Sequence, residues 1–271
     1  MVIALYRRLA CLGLPAVLSL LALAVWADEA APTGPKPSAA VFAFHDLGAY
    51  KGHALGQRAA ARVQTELRET WRFVLIARAD VRRECTALDL RPPFPVGYQQ
   101  QILARLVADL AITGVVQNCT LDARNSAANV TLIAELTEAI GGEQVAIVKA
   151  VGAAHAERNN PVPADELAEE ALAAAGKQLA RSLTAGPLIT GKVVAHIAGD
   201  ERVTLEADAT GSFVAGMRAL IFRRKDDGAW ELGAVASIES VQKPRATGKL
   251  LSAKGQLKEG DVAVGVFGGG R

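Results

Sequence analysis

The sequence VTLIAELTEAIGGEQVAIVKAV, residues 130–151, decides the fold of the first part of this chain. Polar and apolar side chains alternate from Val130 to Leu136, which is typical of a strand with one exposed face. Gly141-Gly142 then supplies a turn, and Gln144–Val151 forms the returning strand. The segment therefore predicts an antiparallel hairpin.

Upstream of this hairpin, short apolar strands alternate with amphipathic helices. Between Gly52 and Trp71, apolar residues recur every four positions with charged residues between them, as in a helix that packs on one side. The Pro-rich segment Arg91–Pro95 breaks any helix and predicts a loop. The predicted elements are, in chain order, a strand at 41–44, a helix at 52–71, a strand at 73–76, a helix around 102–110 and a strand at 111–120.

Downstream of the hairpin, the pattern predicts one long helix. Pro163-Ala164-Asp165 begins it and places an acid in the first turn, where the helix dipole favours negative charge. Gly186-Pro187 ends it. The order β-α-β-α-β-β-β-α over residues 40–187 predicts an α+β domain, a three-layer-like mixed sheet with helices.

From about residue 188 the pattern becomes all-β. Short strands are separated by the turns Gly199-Asp200, Asp227-Gly228 and Gly260-Asp261, and no helical stretch lies between them. Six strands in such a short segment favour a closed structure, because closure removes exposed strand edges. We therefore predict a second domain, residues 188–271, folded as a small all-β barrel.

The amino-terminal residues have the order of a cleavable signal peptide. Arg7 and Arg8 give a positive start, and the following residues up to Val25 are uncharged and apolar. Val25-Trp26-Ala27 then places small or medium residues ahead of an acidic segment. This order predicts a signal peptide at residues 1–27.

We expect cleavage after Ala27 and a mature protein outside the cytoplasm. Residues 28–39, rich in Pro, Ala and Gly, predict an extended linker. The alternative is a retained membrane anchor, because about 17 apolar residues are the lower limit for crossing a bilayer. No later segment approaches that length, so we expect no transmembrane segment after cleavage.

Composition and cysteines limit the possible functions. The net charge of +2 gives no concentrated basic face for nucleic acid, and 5% aromatic residues predict aliphatic cores. After cleavage, Cys85 and Cys119 remain, and an oxidising compartment favours a disulfide between them, worth roughly 3–4 kcal/mol. The alternative is two buried thiols. Metal binding by this pair is not expected, because neither a CxxC motif nor a nearby His completes a site.

Two motifs resemble chemical sites but lack required residues. Gly186–Lys192 has the spacing of a phosphate-binding loop, yet Val193 replaces the hydroxyl that would bind Mg²⁺, and Pro187 removes a backbone donor. His45-Asp46 and His53 have no nucleophile or third ligand beside them, so a loop histidine with a turn-forming aspartate is the preferred interpretation. We expect no enzyme activity, nucleotide, metal or other cofactor.

A cluster of bases is the main candidate interaction site. Arg223, Arg224 and Lys225 precede Asp226-Asp227-Gly228 at a predicted hairpin tip, with Lys243 and Arg245 expected nearby. Together these bases form a candidate docking patch for an acidic polymer or partner. The alternative is a solvated turn, since acids adjoin the bases.

Several segments resemble one family of bacterial envelope domains. Val41–Leu47 resembles its opening strand, Trp71–Val81 its helix-to-strand segment, Ala108–Val116 its "gADyvvtGsv" segment and Val130–Val145 its hairpin. The family includes the curli-secretion lipoprotein, the amino-terminal domain of the Tol-Pal translocation protein and the middle domain of the flagellar H-ring protein. The resemblance covers residues 40–187 and implies an envelope or appendage-assembly role.

The remaining residues, 188–267, resemble the SH3-like barrel at the carboxy terminus of the flagellar H-ring protein. Gly211–Met217 matches the turn before a long strand, and Lys258–Val262 matches the closing segment. No lipidation cysteine follows the predicted cleavage site, so we expect release from the membrane rather than lipid anchoring.

We interpret the chain as a non-enzymatic periplasmic scaffold or assembly factor that acts through protein–protein contacts. Its expected partners are envelope or appendage proteins or a second copy of the chain, bound at the open sheet edge or the charged hairpin. One alternative is a regulatory module that binds peptidoglycan or a small ligand. The other is an enzyme, which would require a cleft that joins His45, Asp46 and His53 with a further acid.

Overall fold

A computed structural model describes residues 34–48, 55–122, 126–157, 162–186, 188–197, 199–209 and 211–268. The predicted signal peptide and half of the predicted linker lie outside these residues. The described residues from Pro35 onward belong to one compact unit. This unit consists of a sheet with helices, called the α/β part below, and a barrel.

The α/β part is built on one mixed sheet. Its strands are β1 (Ser38–Val41), β2 (His45–Asp46), β3 (Val74–Leu75), β4 (Leu110–Leu121), β5 (Ala127–Glu138) and β6 (Gln144–His155). The sheet order is β3-β1-β4-β5-β6, with β2 pairing to β4. The pairs among β1, β2, β3 and β4 are parallel, whereas β4-β5-β6 is an antiparallel meander.

Helices cover both faces of this sheet. They are α1 (Leu55–Glu69), α2 (Arg78–Ala87), α3 (Val96–Leu106) and α4 (Ala164–Leu183). Alternate residues of β1 separate two cores: Ala39 and Val41 pack with α1 and α4, whereas Ala40 and Phe42 pack with α2 and α3. This is the three-layer arrangement that the sequence predicts, and the α+β class is confirmed.

The sequence analysis missed the two-residue strand β2 and helix α2. The buried residues of α2 are Val81 and Cys85, four positions apart, and the rest of the helix is largely charged or exposed. With so few apolar residues on one side, the sequence shows almost none of the hydrophobic periodicity that predicts a helix. The Pro-rich loop that follows is present as predicted, and Phe94 anchors it, with its ring centroid 5.2 Å from that of Phe42.

The six carboxy-terminal strands close into a barrel, as predicted. They are β7 (Ile189–His196), β8 (Arg202–Ala207), β9 (Met217–Arg224), β10 (Trp230–Gln242), β11 (Arg245–Ala253) and β12 (Val262–Gly268). The barrel order is β10-β11-β8-β7-β12-β9, and its neighbouring strands pair in antiparallel fashion.

The barrel uses both surfaces of strand β9 in packing. Ala219 and Ile221 point into the barrel core, whereas Leu220 and Phe222 belong to the same hydrophobic core as α1 and α4. Burial of such side chains contributes about 1.5–3 kcal/mol each, so the barrel is held to the sheet by an apolar interface. The change of pattern near residue 188 thus marks the start of the barrel within one compact unit.

Candidate functional site

The charged hairpin between β9 and β10 pairs most of its bases. Lys225 and Lys254 both contact Glu231, at 3.6 Å and 2.5 Å, and the guanidinium of Arg224 lies 6.0 Å from the ring centroid of Trp230. The hydrogen bond from Lys254 lowers the pKa of Glu231. The bases therefore hold the hairpin in a defined conformation beside an exposed tryptophan.

The five bases of the predicted docking patch do not form one surface. Arg223, Arg224 and Lys225 lie at the end where β10 begins, whereas Lys243 and Arg245 lie where β10 ends. Since β10 has 13 residues, the strand between these ends is about 40 Å long. Sequence proximity suggested a single patch, but an extended strand separates its two halves. Arg245 also pairs with Glu206, at 3.7 Å.

The charged hairpin instead borders a cleft. This junction cleft has a volume of about 430 Å³ and lies between the α/β part and the barrel. The α/β part contributes the turn between α3 and β4, where Val107 has a left-handed backbone and is exposed. The barrel contributes Lys225, Trp230 and Lys254. Sequence reasoning found Lys225 but missed the cleft, because its two walls are distant along the chain.

Asp109 connects the elements at the base of the junction cleft. It accepts hydrogen bonds from the backbone N–H of Ser38, at 2.8 Å, and from the Ser38 hydroxyl, at 2.6 Å. It also accepts one from the backbone N–H of Leu232 on β10. Burial raises the pKa of Asp109, while these hydrogen bonds act in the opposite direction. The carboxyl group thus ties β1, β4 and the barrel together.

A second surface is the open edge of the sheet. Strand β6 ends the sheet, and among the described strands it pairs only with β5. Helix α4 covers one face of β5 and β6. On the other face Ile147 and Val151 are 63% and 51% exposed, next to the partly buried Ile133. Exposed β-branched residues on an unpaired strand are unusual, because such edges are templates for pairing.

A groove of about 150 Å³ lies beside these exposed residues. It is lined by Ile133, Glu135 and Ile147 of the antiparallel strands and by Pro92 and Pro93 of the Pro-rich loop. We call the side chains of Val115, Ile133, Ile147 and Val151 the open face. The groove and the open face together provide a mainly apolar surface beside a free strand edge.

The predicted disulfide is not formed. Cys85 and Cys119 are both free and buried. Cys85 packs with α2 and α3, and Cys119 with α1 and α4, on opposite faces of the sheet. The sheet itself therefore keeps the two thiols apart, and the alternative of two buried thiols describes this structure. Burial raises the pKa of Cys85 to about 11.

The structure describes two of the three residues in the candidate cluster of His45, Asp46 and His53. His45 and Asp46 form β2, and Asp46 accepts a hydrogen bond from the backbone N–H of Gly48, at 3.0 Å, as expected of a turn. His53 lies outside the described residues. Within the part of the chain that the structure describes, no group of three His, Cys, Asp or Glu side chains could hold a metal ion. In the part of the chain that the structure describes, no helix is long and apolar enough to span a bilayer.

Comparison with known proteins adds a likeness of fold. No family model matches the chain. No curated protein matches it. Its architecture defines the class: an α+β sheet with helices on both faces, followed by a closed six-stranded barrel.

Solved structures with a coarsely similar fold include bacterial lipoproteins. The carboxy-terminal domain of LpoB from Escherichia coli is 14% identical with a TM-score of 0.34, and the match covers 45% of this chain and 86% of that chain. Lipoprotein GNA1162 from Neisseria meningitidis is 13% identical with a TM-score of 0.37, covering 47% and 88%. The PelC dodecamer from Paraburkholderia phytofirmans is 17% identical with a TM-score of 0.33, covering 54% and 93%. The likeness extends to the coarse fold and not to function.

Proposed function

We propose that this protein is a non-enzymatic scaffold or assembly factor of the bacterial cell envelope. In this role it binds an extended segment of another envelope protein along the edge of strand β6. The observation that carries the proposal is the 12-residue strand Gln144–His155, which among the described strands has a neighbour on one side only. The signal-like residues 1–27 support a location outside the cytoplasm.

The backbone of β6 is suited to strand addition. Val151 directs its N–H away from β5, because that N–H donates to the side chain of Gln178 on α4, at 3.3 Å. Residues two positions away along a strand direct their N–H and C=O groups the same way. Lys149 and Ala153 therefore also present main-chain groups to a partner, which gives affinity through the ladder of hydrogen bonds.

The side chains of the open face add specificity to this edge. Ile147 and Val151 flank Lys149 on the same face of β6. A partner strand with two apolar residues around an acidic one would match this order, because directly opposite side chains interact across a sheet. Burying the two exposed aliphatic groups would contribute about 1.5–3 kcal/mol each.

We expect site-specific photo-crosslinking to capture this partner in living cells. A benzoyl-phenylalanine at Ala153, whose side chain is exposed on β6, should form an adduct with one other envelope protein. The crosslinked residues of that protein should lie within one extended segment. The same group at Ile197, which is 72% exposed on the barrel, serves as the control and should not form that adduct.

The double variant Ile147→Lys/Val151→Lys should reduce the Ala153 adduct about tenfold or more, because two charges would replace the apolar contact. Exposed substitutions change stability by only about 0.5 kcal/mol, so its melting temperature should stay near that of the parent. Ile197→Lys is the matched variant and should leave the adduct unchanged. Adducts only with a second copy of the chain, or equal yields in all variants, would contradict the proposal.

The junction cleft favours a second candidate function, a module that binds peptidoglycan or a small ligand. Trp230 offers an aromatic surface, and Lys225 and Lys254 offer cations beside it. Ligand sites commonly combine aromatic walls with a few polar groups.

If the junction cleft binds peptidoglycan, the protein should co-sediment with isolated peptidoglycan sacculi. We expect Trp230→Ala to reduce this binding about tenfold. Trp71→Ala is the control, since Trp71 is 74% exposed outside the cleft. No sedimentation of the parent protein would exclude peptidoglycan binding.

A further inference from the structure

A further cavity of about 200 Å³ lies beside helix α2, and it shares Ala43, Pro92 and Phe94 with the groove next to the open face. Its walls come from β1, the start of α1, helix α2 and the Pro-rich loop. Its lining includes Arg78, Val81, Arg82, Cys85, Arg91 and Phe94. We call it the arginine cavity. It combines three guanidinium groups with an apolar floor, and neither the barrel nor strand β6 contributes to it.

The three arginines of this cavity have no carboxylate partner. None of the ion pairs among the described residues includes Arg78, Arg82 or Arg91, and no Asp or Glu side chain lines the cavity. The neighbouring bases differ: Arg83 pairs with Asp80 at 2.8 Å, and Arg105 contacts Glu84 at 3.4 Å. No acid of α2 lines the cavity, so the charged residues of its lining are arginines.

Two of these arginines weakly repel each other. Arg78 and Arg82 are four positions apart on α2, where like charges on a helix repel. Burial lowers the pKa of Arg78, and the charge of Arg82 adds to that shift. One terminal nitrogen of Arg78 donates to Gln57, to its carbonyl at 2.9 Å and to its side-chain oxygen at 3.0 Å. A guanidinium has five N–H donors, so Arg78 retains others for an anion.

The floor of the arginine cavity is apolar. Val81 and Phe94 are buried there, with Cys85 beside them as a neutral thiol. A small inorganic anion would use the guanidinium groups but leave this floor without a contact. A ligand with an aliphatic chain next to its anionic group would contact both the guanidinium groups and the apolar floor. Since pockets that enclose a whole drug-sized ligand begin at about 300 Å³, only the head group and the start of the chain would enter.

We propose that the arginine cavity binds an alkyl phosphate or alkyl carboxylate, the chemistry shared by phospholipid fragments and free fatty acids. Arg78, Arg82 and Arg91 hold the anionic oxygens, because guanidinium groups match phosphate and carboxylate geometry. Val81 and Phe94 contact the first methylene groups of the chain. Occupancy would offset part of this positive charge and fix the Pro-rich loop against α2.

The thiol of Cys85 provides a direct test, because it lines the cavity. In the full-length chain with Cys11→Ser and Cys119→Ala, it is the remaining cysteine. The rate of its reaction with a maleimide is measured with decyl phosphate, decanoate, decanol or inorganic phosphate, each below its micelle concentration. The melting temperature is measured in parallel, since a ligand that binds the folded state raises it.

We expect decyl phosphate or decanoate to slow the labelling of Cys85 in a saturable way and to raise the melting temperature. The double variant Arg82→Gln/Arg91→Gln should weaken this protection about tenfold, the loss expected when charge-assisted hydrogen bonds are removed. Both side chains are exposed, so the variant should fold. Arg83→Gln is the matched control on the same helix and should bind like the parent.

Several outcomes would overturn the proposal. Equal protection by decanol would show that the cavity binds the alkyl chain without distinguishing a charged head group from a neutral one. Equal protection by inorganic phosphate would show that the site binds an anion but not the alkyl chain. Failure of both decyl phosphate and decanoate to protect Cys85 or to raise the melting temperature would exclude the ligand class. A difference between these two probes would identify the source as phospholipid-like or fatty-acid-like, and either result supports the shared chemistry.

Discussion

Gly152→Ala is expected to lower the free energy of unfolding by about 3 kcal/mol. A Cβ atom at residue 152 would lie 2.0 Å from the carbonyl oxygen of Ala171 and 2.3 Å from the amide nitrogen of Ala175. Both are backbone atoms of α4, so the clash is relieved only by moving the helix away from β6. Overpacking of this kind typically costs about 1–3 kcal/mol, and a backbone-to-backbone clash belongs at the upper end.

The sign of the change in unfolding free energy tests whether α4 packs closely on β6. Gly in a strand is about 0.5–1 kcal/mol less favourable than Ala, so a strand without the close helix would be stabilised by the same change. Gly97 on α3 is the control, since a Cβ there meets no atom within 4 Å. Gly97→Ala should raise stability by about 0.5–1 kcal/mol. Urea unfolding followed by circular dichroism measures both variants. A stabilised Gly152→Ala would show that α4 does not pack on β6 in this way.

Asp109→Ala is expected to cost about 2–3 kcal/mol. The change removes the acceptor for the two donors of Ser38 and for the backbone N–H of Leu232. Buried donors left without a partner cost about 1–3 kcal/mol, and the partial opening of the site to water reduces the total. Because Leu232 belongs to the barrel, the loss should also weaken its attachment. Exchange of the Leu232 amide hydrogen would then accelerate more than that of Ala219 in the barrel core.

Asp109→Asn separates the charge of this residue from its hydrogen bonds. It keeps an acceptor oxygen, so we expect a smaller loss than for Asp109→Ala. Burial raises the pKa of Asp109 in the folded protein above the unfolded value of about 3.9. The folded state therefore binds the proton more tightly. The stability from this group is fully present below the unfolded pKa and is lost as pH rises through the folded pKa.

The pH dependence of the two proteins should differ accordingly. As pH falls from 7 towards about 4, the parent protein should gain stability relative to Asp109→Asn, since only the parent can take up this proton. Urea unfolding of both proteins across this range measures the difference. A difference that stays constant with pH, or changes in the opposite direction, would contradict the raised pKa of Asp109.

The features that could be predicted depend on local patterns. Alternation in Val130–Leu136 and the Gly141-Gly142 turn predicted the hairpin of β5 and β6, which the structure contains. The long helix α4 and the six barrel strands followed from apolar spacing and from Gly-Asp turns in the same way. In each case the apolar face of an element is visible within about a dozen residues.

Other features depend on chemistry that no local pattern reveals. Glu138 looks like an ordinary charged residue near a turn, yet it is fully buried. It accepts hydrogen bonds from the backbone N–H groups of Gly141, at 2.7 Å, and Glu143, at 3.1 Å, as well as from Ile140. The hairpin turn is therefore held by a side chain whose role appears only once the chain has folded back on it.

The hairpin at residues 130–151 thus marks what the sequence by itself determined: the type and order of most elements, the barrel and the antiparallel meander. The tertiary structure decided which distant residues meet. It placed Cys85 and Cys119 on opposite faces of the sheet, separated the bases at the two ends of β10 and left β6 as an open edge. The physical reason is that periodicity and turn residues act within one element, whereas pairing order and packing join residues far apart along the chain.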